Sequence, residues 1–306
     1  MSLRERLSGS IAPLFTPFTD SGEVDHDSLR RMVAWQHAHG SAGISFGGST
    51  GEPSSLSIAE RAAALETIKD AIGDTGMSFV PGTGSASLDD TLELTAKAVE
   101  LGVDAALIIT PYYSRPTQEA LYQWYGTVAR EFPDLPLIAY NVPSRTAVEL
   151  APETFARMFR DFDNIVGIKE TTKDFEHFSR TMFHCGSEVL MWSGIELLCL
   201  PLLSLGGIGF ISALANIAPQ AVADTYRLAV EGDMDGARKL HYGVHPLVDL
   251  LFTETNPAPA KWLMAERGLI SSPNVRPPLI NLTDAGKDKV RALADQAADY
   301  LTDVTD

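Results

Sequence analysis

In Asn164-Ile165-Val166-Gly167-Ile168-Lys169-Glu170, four consecutive residues without a polar side chain run straight into a lysine and a glutamate. A run with no apolar–polar alternation fits a parallel strand covered on both faces. Seven more short apolar runs flank it along the chain: Ile11–Phe15, Gly43–Phe46, Ser78–Val80, Ala105–Ile109, Leu137–Tyr140, Val189–Trp192 and Ile208–Ile211. Between them the period turns helical. Leu29, Met32 and Val33 fall at i, i+3 and i+4, and Leu88, Thr91, Leu92, Thr95, Ala96 and Val99 continue the pattern.

The runs start about 20 to 35 residues apart, room for a strand, a helix and two short loops joined by right-handed crossovers. Eight such units predict an α/β fold, a closed (β/α)8 TIM barrel. A doubly wound open sheet competes, but the first run continues into Phe15-Thr16-Pro17-Phe18 and lacks the G-x-G-x-x-G dinucleotide turn. Past Glu231-Gly232-Asp233 the remaining residues exceed what a barrel requires and read as helix. Val290, Leu293, Ala294, Ala297, Ala298 and Leu301 form one stripe there, and Pro257, Pro259, Pro277 and Pro278 interrupt it upstream. The expected organisation is a barrel over 1–232 carrying the active site, with a helical extension over 233–306 packed on it.

The 24 Lys and Arg against 40 Asp and Glu leave a formal charge of −16, a field that repels phosphate and argues against nucleic acid as a partner. Cys185 and Cys199 are too few for a disulfide framework or a cysteine-rich zinc site and read as buried small hydrophobes. The longest apolar stretch, Leu197 to Ile211, is too short and too broken by Pro201 and glycines for a membrane span. The opening MSLRERLSGS has no signal-peptide core, so a cytoplasmic protein is expected. His241 and His245 stand four apart on one expected helix, away from the barrel rim, and His37 and His39 end another; all read as solvated or capping, with no metal site.

Barrel enzymes carry their chemistry on the loops after the strands. After the second run comes Gly47-Gly48-Ser49-Thr50-Gly51-Glu52, whose amides can hold an anion or simply form a capped turn. The fourth run leads into Thr110-Pro111-Tyr112-Tyr113, and the fifth into Tyr140-Asn141-Val142-Pro143-Ser144-Arg145. Lys169 ends the sixth. A lysine there is costly unless paired or neutral. It forms an ion pair, with Glu170 or across the barrel, or it is an amine activated to attack a carbonyl and form an imine. Arginine stays protonated and cannot do so.

Six segments in order resemble the dihydrodipicolinate synthase / N-acetylneuraminate lyase family of Schiff-base lyases: Pro13-Leu14-Phe15-Thr16-Pro17-Phe18, Gly48-Ser49-Thr50-Gly51-Glu52, Thr110-Pro111-Tyr112-Tyr113, Tyr140 through Thr146, Gly167-Ile168-Lys169-Glu170, and Glu254-Thr255-Asn256-Pro257. The resemblance implies a pyruvate-dependent aldolase with a covalent imine on Lys169, no metal or organic cofactor, and a homotetramer built as a dimer of dimers. It implies Tyr140 as general acid/base, relayed through Ser49 and through Tyr113 from the neighbouring subunit. Thr50 and Gly48 then face the pyruvate carboxylate, Arg145 the carboxylate of an aldehyde partner, and Gly194, Glu196 and Ile211 complete the substrate contacts.

This chain departs from the synthase pattern at Ser193-Gly194-Ile195-Glu196, where synthases carry Ser-Gly-Asp-Asp, and has Ser49 for the usual threonine. Gly84 is followed by Ser85 where lysine-inhibited synthases have asparagine, which argues against feedback inhibition. The implied activity is 4-hydroxy-tetrahydrodipicolinate synthase-like, from pyruvate and an acidic aldehyde such as aspartate semialdehyde. The alternative is a catabolic relative that cleaves 2,4-dihydroxyhept-2-ene-1,7-dioate to pyruvate and succinate semialdehyde. A metal-dependent aldolase and a non-catalytic keto-acid sensor are the competing classes.

Overall fold

The computed structural model describes residues 1–304. Each of the eight apolar runs contains or overlaps a strand: β1 Gly9–Pro13, β2 Gly43–Ser45, β3 Ser78–Phe79, β4 Ala106–Ile109, β5 Leu137–Asn141, β6 Ile165–Glu170, β7 Leu190–Ser193 and β8 Gly209–Phe210. All pairings are parallel, in the order β3-β2-β1-β8-β7-β6-β5-β4. The remaining gap is closed by a parallel bridge between Gly82 and Leu107, where Leu107 N donates to Pro81 O at 2.8 Å and Thr83 N to Leu107 O at 3.1 Å. Closure removes the free edges that an open sheet would expose.

Strand β1 begins two residues earlier than its apolar run, because Gly9 pairs with Gly209 and sets the register with β8. The interior is filled by Ile11, Val80, Leu107, Ile138, Tyr140 and Trp192, among others. Its N-terminal end is plugged by the helix Leu3–Leu7, whose Leu7 carbonyl accepts from the Trp192 indole at 2.9 Å. Only the C-terminal mouth is left for chemistry.

The helix Pro219–Glu231 ends on Gly232, and Asp233 caps the helix Met234–Gly243. His245–Leu251, Ala258–Glu266 and Asp284–Gln296 follow. Leu247, Leu250, Leu251, Met264 and Val290 bury their side chains in one cluster with Leu29 and Val33 of the first long helix, His26–Ala38. The extension therefore shares the core of the first βα units.

Three expectations need correction. His241 and His245 lie on separate helices, because Pro246 opens a new helix just after the break at Val244. Their rings still meet at 5.5 Å, and His241 is half-buried, with a pKa lowered by burial and by His245. The C-terminal stripe is interrupted at Ala298, since the helix ends at Gln296 and turns that residue outward, although Leu301 beyond it still packs on the core. Cys199 is buried as expected, whereas Cys185 is only partly so. Among the described residues no helix is long and apolar enough to cross a membrane.

Candidate active site

Strand β6 carries Lys169 into the barrel mouth. Its register with β5 slips once, between Leu137 and Ile138, and then holds, setting Tyr140 opposite Lys169 and Asn141 opposite Glu170. Such a bulge re-aims the side chains that follow it. The Lys169 side chain is buried, with Nζ 4.2 Å from the centroid of the Tyr140 ring. The Tyr140 hydroxyl is 3.4 Å from Ser49 Oγ, a long contact of the kind that tightens on substrate binding. Three of the expected catalytic groups are thus contiguous.

Lys169 makes no ion pair with Glu170. Successive strand residues face opposite sides, and the fully buried Glu170 turns outward to Asn141 and His177. Burial disfavours charging His177, but its contact with Glu170 and the charges of Glu170, Glu149 and Asp174 outweigh this and raise its pKa. The sequence reading assigned no role to this histidine.

The loop after β2 starts with Gly47 at φ +82°, where an added Cβ would stand 2.7 Å from the Gly82 carbonyl oxygen. Only glycine fits. Arg61 fastens the neighbouring turn by donating to the carbonyls of Gly82 and Gly84, and burial lowers its pKa to about 10. Ser49–Gly51 then forms a single tight turn. The buried Thr50 hydroxyl accepts from Asn256 Nδ2 at 3.1 Å. Glu52 follows in the left-handed region at φ +53°, its carboxylate accepting from Lys261 Nζ at 2.8 Å and from Arg276 N at 3.0 Å. Burial lowers the Lys261 pKa to about 8 against the opposing pull of Glu52.

Neither Arg61 nor Lys261 was found from sequence. For Lys261 the signal was present: a lone lysine inside Ala258-Pro259-Ala260-Lys261-Trp262-Leu263-Met264, an otherwise apolar helix.

After β7, Gly194 packs directly on the lysine. An added Cβ would lie 2.6 Å from Lys169 Cε and 2.4 Å from Thr171 Cγ2. Gly194→Ala is therefore expected to displace the amine and lower kcat by about 100-fold, the scale of a 1 Å misplacement, which steady-state kinetics will measure. A variant with unchanged kcat would show that Lys169 needs no such clearance.

Glu196 is buried, and burial raises its pKa against hydrogen bonds from its own backbone, from Ala213 and from Ser212, and against the charge of Lys169. Its Oε1 accepts from Ala213 N at 3.0 Å and Ser212 Oγ at 3.3 Å, and the residue also borders a narrow cavity beside His241 and Cys199. Ile211 is buried in the interior cluster that includes Tyr140.

Arg145 sits in the short helix Pro143–Thr146 and is exposed. With Ser49, Ile109, Tyr112 and Asn256 it lines a cavity of about 270 Å³, room for small substrates. Tyr113 is not brought to the site within this chain. It is 94% exposed, and its backbone adopts φ +74°, a conformation that costs energy for a tyrosine.

The model of the Dihydrodipicolinate synthetase family matches residues 6–297. The chain belongs to that family. As a member it is a lyase, and the amine at the barrel mouth fits the imine-forming class of aldolases. A 4-hydroxy-tetrahydrodipicolinate synthase of Thermus thermophilus is 42% identical over 288 residues, which span 94% of this chain and 95% of that protein. Among solved structures, the chloride-inhibited dihydrodipicolinate synthase of Acinetobacter baumannii complexed with pyruvate matches with a TM-score of 0.91 and 37% identity, over 95% of this chain and 99% of that one. A monomeric dihydrodipicolinate synthase variant matches with a TM-score of 0.91 and 32% identity, over 96% of this chain and 98% of that one.

Proposed function

We propose that this family member condenses pyruvate with aspartate semialdehyde, as a 4-hydroxy-tetrahydrodipicolinate synthase, through an imine on Lys169. The observation that carries the reading is the contiguity of Lys169, Tyr140 and Ser49 at the one open end of the barrel. The printed activity of the relatives gives the substrate pair.

The amine of Lys169 attacks C2 of pyruvate, and the former carbonyl oxygen leaves as water once Tyr140 has supplied a proton. The cationic imine acidifies the methyl group, and the Tyr140 phenolate left by the previous step takes that proton, giving a neutral enamine. Its methylene carbon attacks the aldehyde carbon, and the new alkoxide takes a proton back from the Tyr140 phenol. The amino group of the adduct then attacks the imine carbon, gives its proton to the Tyr140 phenolate and displaces Lys169 as the free amine. Ser49, and Tyr113 of a neighbouring subunit, relay these protons to solvent. Thr50 and the amides around Gly48 hold the pyruvate carboxylate, Arg145 holds that of the aldehyde, and Gly194, Glu196 and Ile211 shape the remaining wall. The imine supplies the electron sink, so the cycle uses no external cofactor.

On this reading residues 1–232 form the catalytic barrel, the extension from residue 233 braces it, and the working state is a cytoplasmic homotetramer in which neighbouring subunits exchange Tyr113. The exposed Tyr113 supports that assembly.

A second reading, the catabolic aldolase that releases succinate semialdehyde, is favoured by Ile195 and by the Glu196 oxygen already bonded to Ala213 and Ser212, which leave less acidity for an amino group. Rates with pyruvate plus either semialdehyde separate the two. We expect a preference for aspartate semialdehyde of at least about tenfold, the value of one charged contact. The opposite preference would assign the catabolic activity.

A further inference from the structure

We infer that Glu170 is a positioning residue that, through Asn141, holds Tyr140 and Lys169 at their working separation. The inference rests on the imine reading above. Asn141 and Glu170 are the next residues along β5 and β6, both fully buried and facing away from the mouth. Asn141 Nδ2 donates to both Glu170 oxygens, at 3.1 and 2.9 Å. The backbone amides of Thr171 and Thr172 donate to Oε1, each at 2.8 Å, and His177 Nε2 lies 3.1 Å from Oε2. Asn141 Oδ1 accepts from Leu150 N at 3.0 Å, closing the loop that carries Arg145.

A buried carboxylate is tolerated only when its oxygens are satisfied, so the Asn141 amide and the two backbone amides, with His177 as a charge contact, leave it one position. The strand ladder ends here, and beyond it both chains turn into loops. Asn141 is peptide-bonded to Tyr140 and Glu170 to Lys169. A slip of one strand end against the other breaks the bidentate contact before it separates the catalytic pair. The side chains behind the wall thus reinforce the last backbone tie between the strands, Thr171 N to Asn141 O at 3.1 Å, and the Thr171 hydroxyl on the same carbonyl at 2.6 Å.

The test uses three variants of the full chain: Glu170→Gln, Asn141→Asp and both together. The readouts are kcat, the pyruvate KM, the rate of borohydride-trapped pyruvate adduct on Lys169, and the thermal transition. In Glu170→Gln the new amide faces the Asn141 amide, donor against donor. We expect kcat and the trapping rate to fall by about 100-fold, with KM within about threefold.

In the double variant the carboxylate introduced on β5 accepts from the amide introduced on β6 and still accepts from Leu150, so at least about tenfold of the loss should return. If Glu170→Gln does not fold, Asn141→Ser carries the same expectation, since it leaves Glu170 its backbone donors and His177. Wild-type kcat in a folded single variant, or equal losses in single and double variants of equal thermal stability, would overturn the inference. A wild-type protein that traps no pyruvate on Lys169 would instead overturn the imine reading, and this role with it.

Discussion

Borohydride reduction of the wild-type protein with pyruvate is expected to leave one covalent adduct, on Lys169, and Lys169→Ala or Lys169→Arg is expected to leave none. The arginine variant keeps a charge at the site but has no amine able to form an imine. Turnover should fall by about 10⁵- to 10⁶-fold in both, the scale seen when a covalent nucleophile is deleted. Tyr140→Phe should behave differently. Its ring still packs against Lys169 Nζ, which lies 4.2 Å from the Tyr140 centroid, so the adduct still forms, more slowly. The lost phenol costs about 10²- to 10⁴-fold in kcat. An adduct on another lysine would move the imine to that residue, and turnover that survives Lys169→Ala and disappears in chelator would replace the imine with metal-assisted chemistry.

The −16 charge gives that experiment a second use, since the proposed substrates are anions in a repelling field. The cavity answers locally with the exposed Arg145 on its lining, and its Ser49 leads through Tyr140 to Lys169. The two basic groups have separable effects. Loss of Arg145 is expected to raise the KM of the aldehyde, and loss of Lys169 to abolish the reaction of pyruvate itself.

Local pattern was enough to find the strands and the groups at their ends. Unalternating runs mark strands with two buried faces, and Tyr140 and Lys169 could be placed at the mouth by counting to the end of each run. The same rule, applied one residue further, would have turned Glu170 away from Lys169, because neighbours on a strand cannot share a face. The reading of His241 and His245 as one helix failed for a local reason too: Pro246 fits the first turn of a new helix better than the interior of an old one. The supports of the site are another matter. Asn141 and Glu170 are 29 positions apart, Thr50 and Asn256 206, and Glu52 and Lys261 209. No periodicity carries such pairs, because the first depends on the register of β5 against β6 and the other two on the extension folding back over the first units.

The longest of these ties yields the largest expected loss of stability. Lys261 and Glu52 are buried together, with side chains 0% and 1% exposed. Phe18 covers them, its ring 4.2 Å from Lys261 Nζ and 4.5 Å from the Arg276 guanidinium carbon. Lys261→Met removes the cation and leaves a dry carboxylate whose main remaining donor is the Arg276 amide. Breaking a buried pair in this way costs about 3–5 kcal/mol. A thermal scan at fixed protein concentration should record a drop on the order of 10 °C. Glu52→Gln combined with Lys261→Met removes both charges and keeps an acceptor for Arg276, so it should lie within about 2 kcal/mol of wild type. The kinetics should follow the loop: Glu52 fixes the end of the turn that presents Ser49 and Thr50, so Lys261→Met should raise the pyruvate KM more than it lowers kcat. If the single and double variants melt together, the pair adds nothing beyond its packing. If KM stays at its wild-type value while stability falls, the extension supports the barrel without shaping the site.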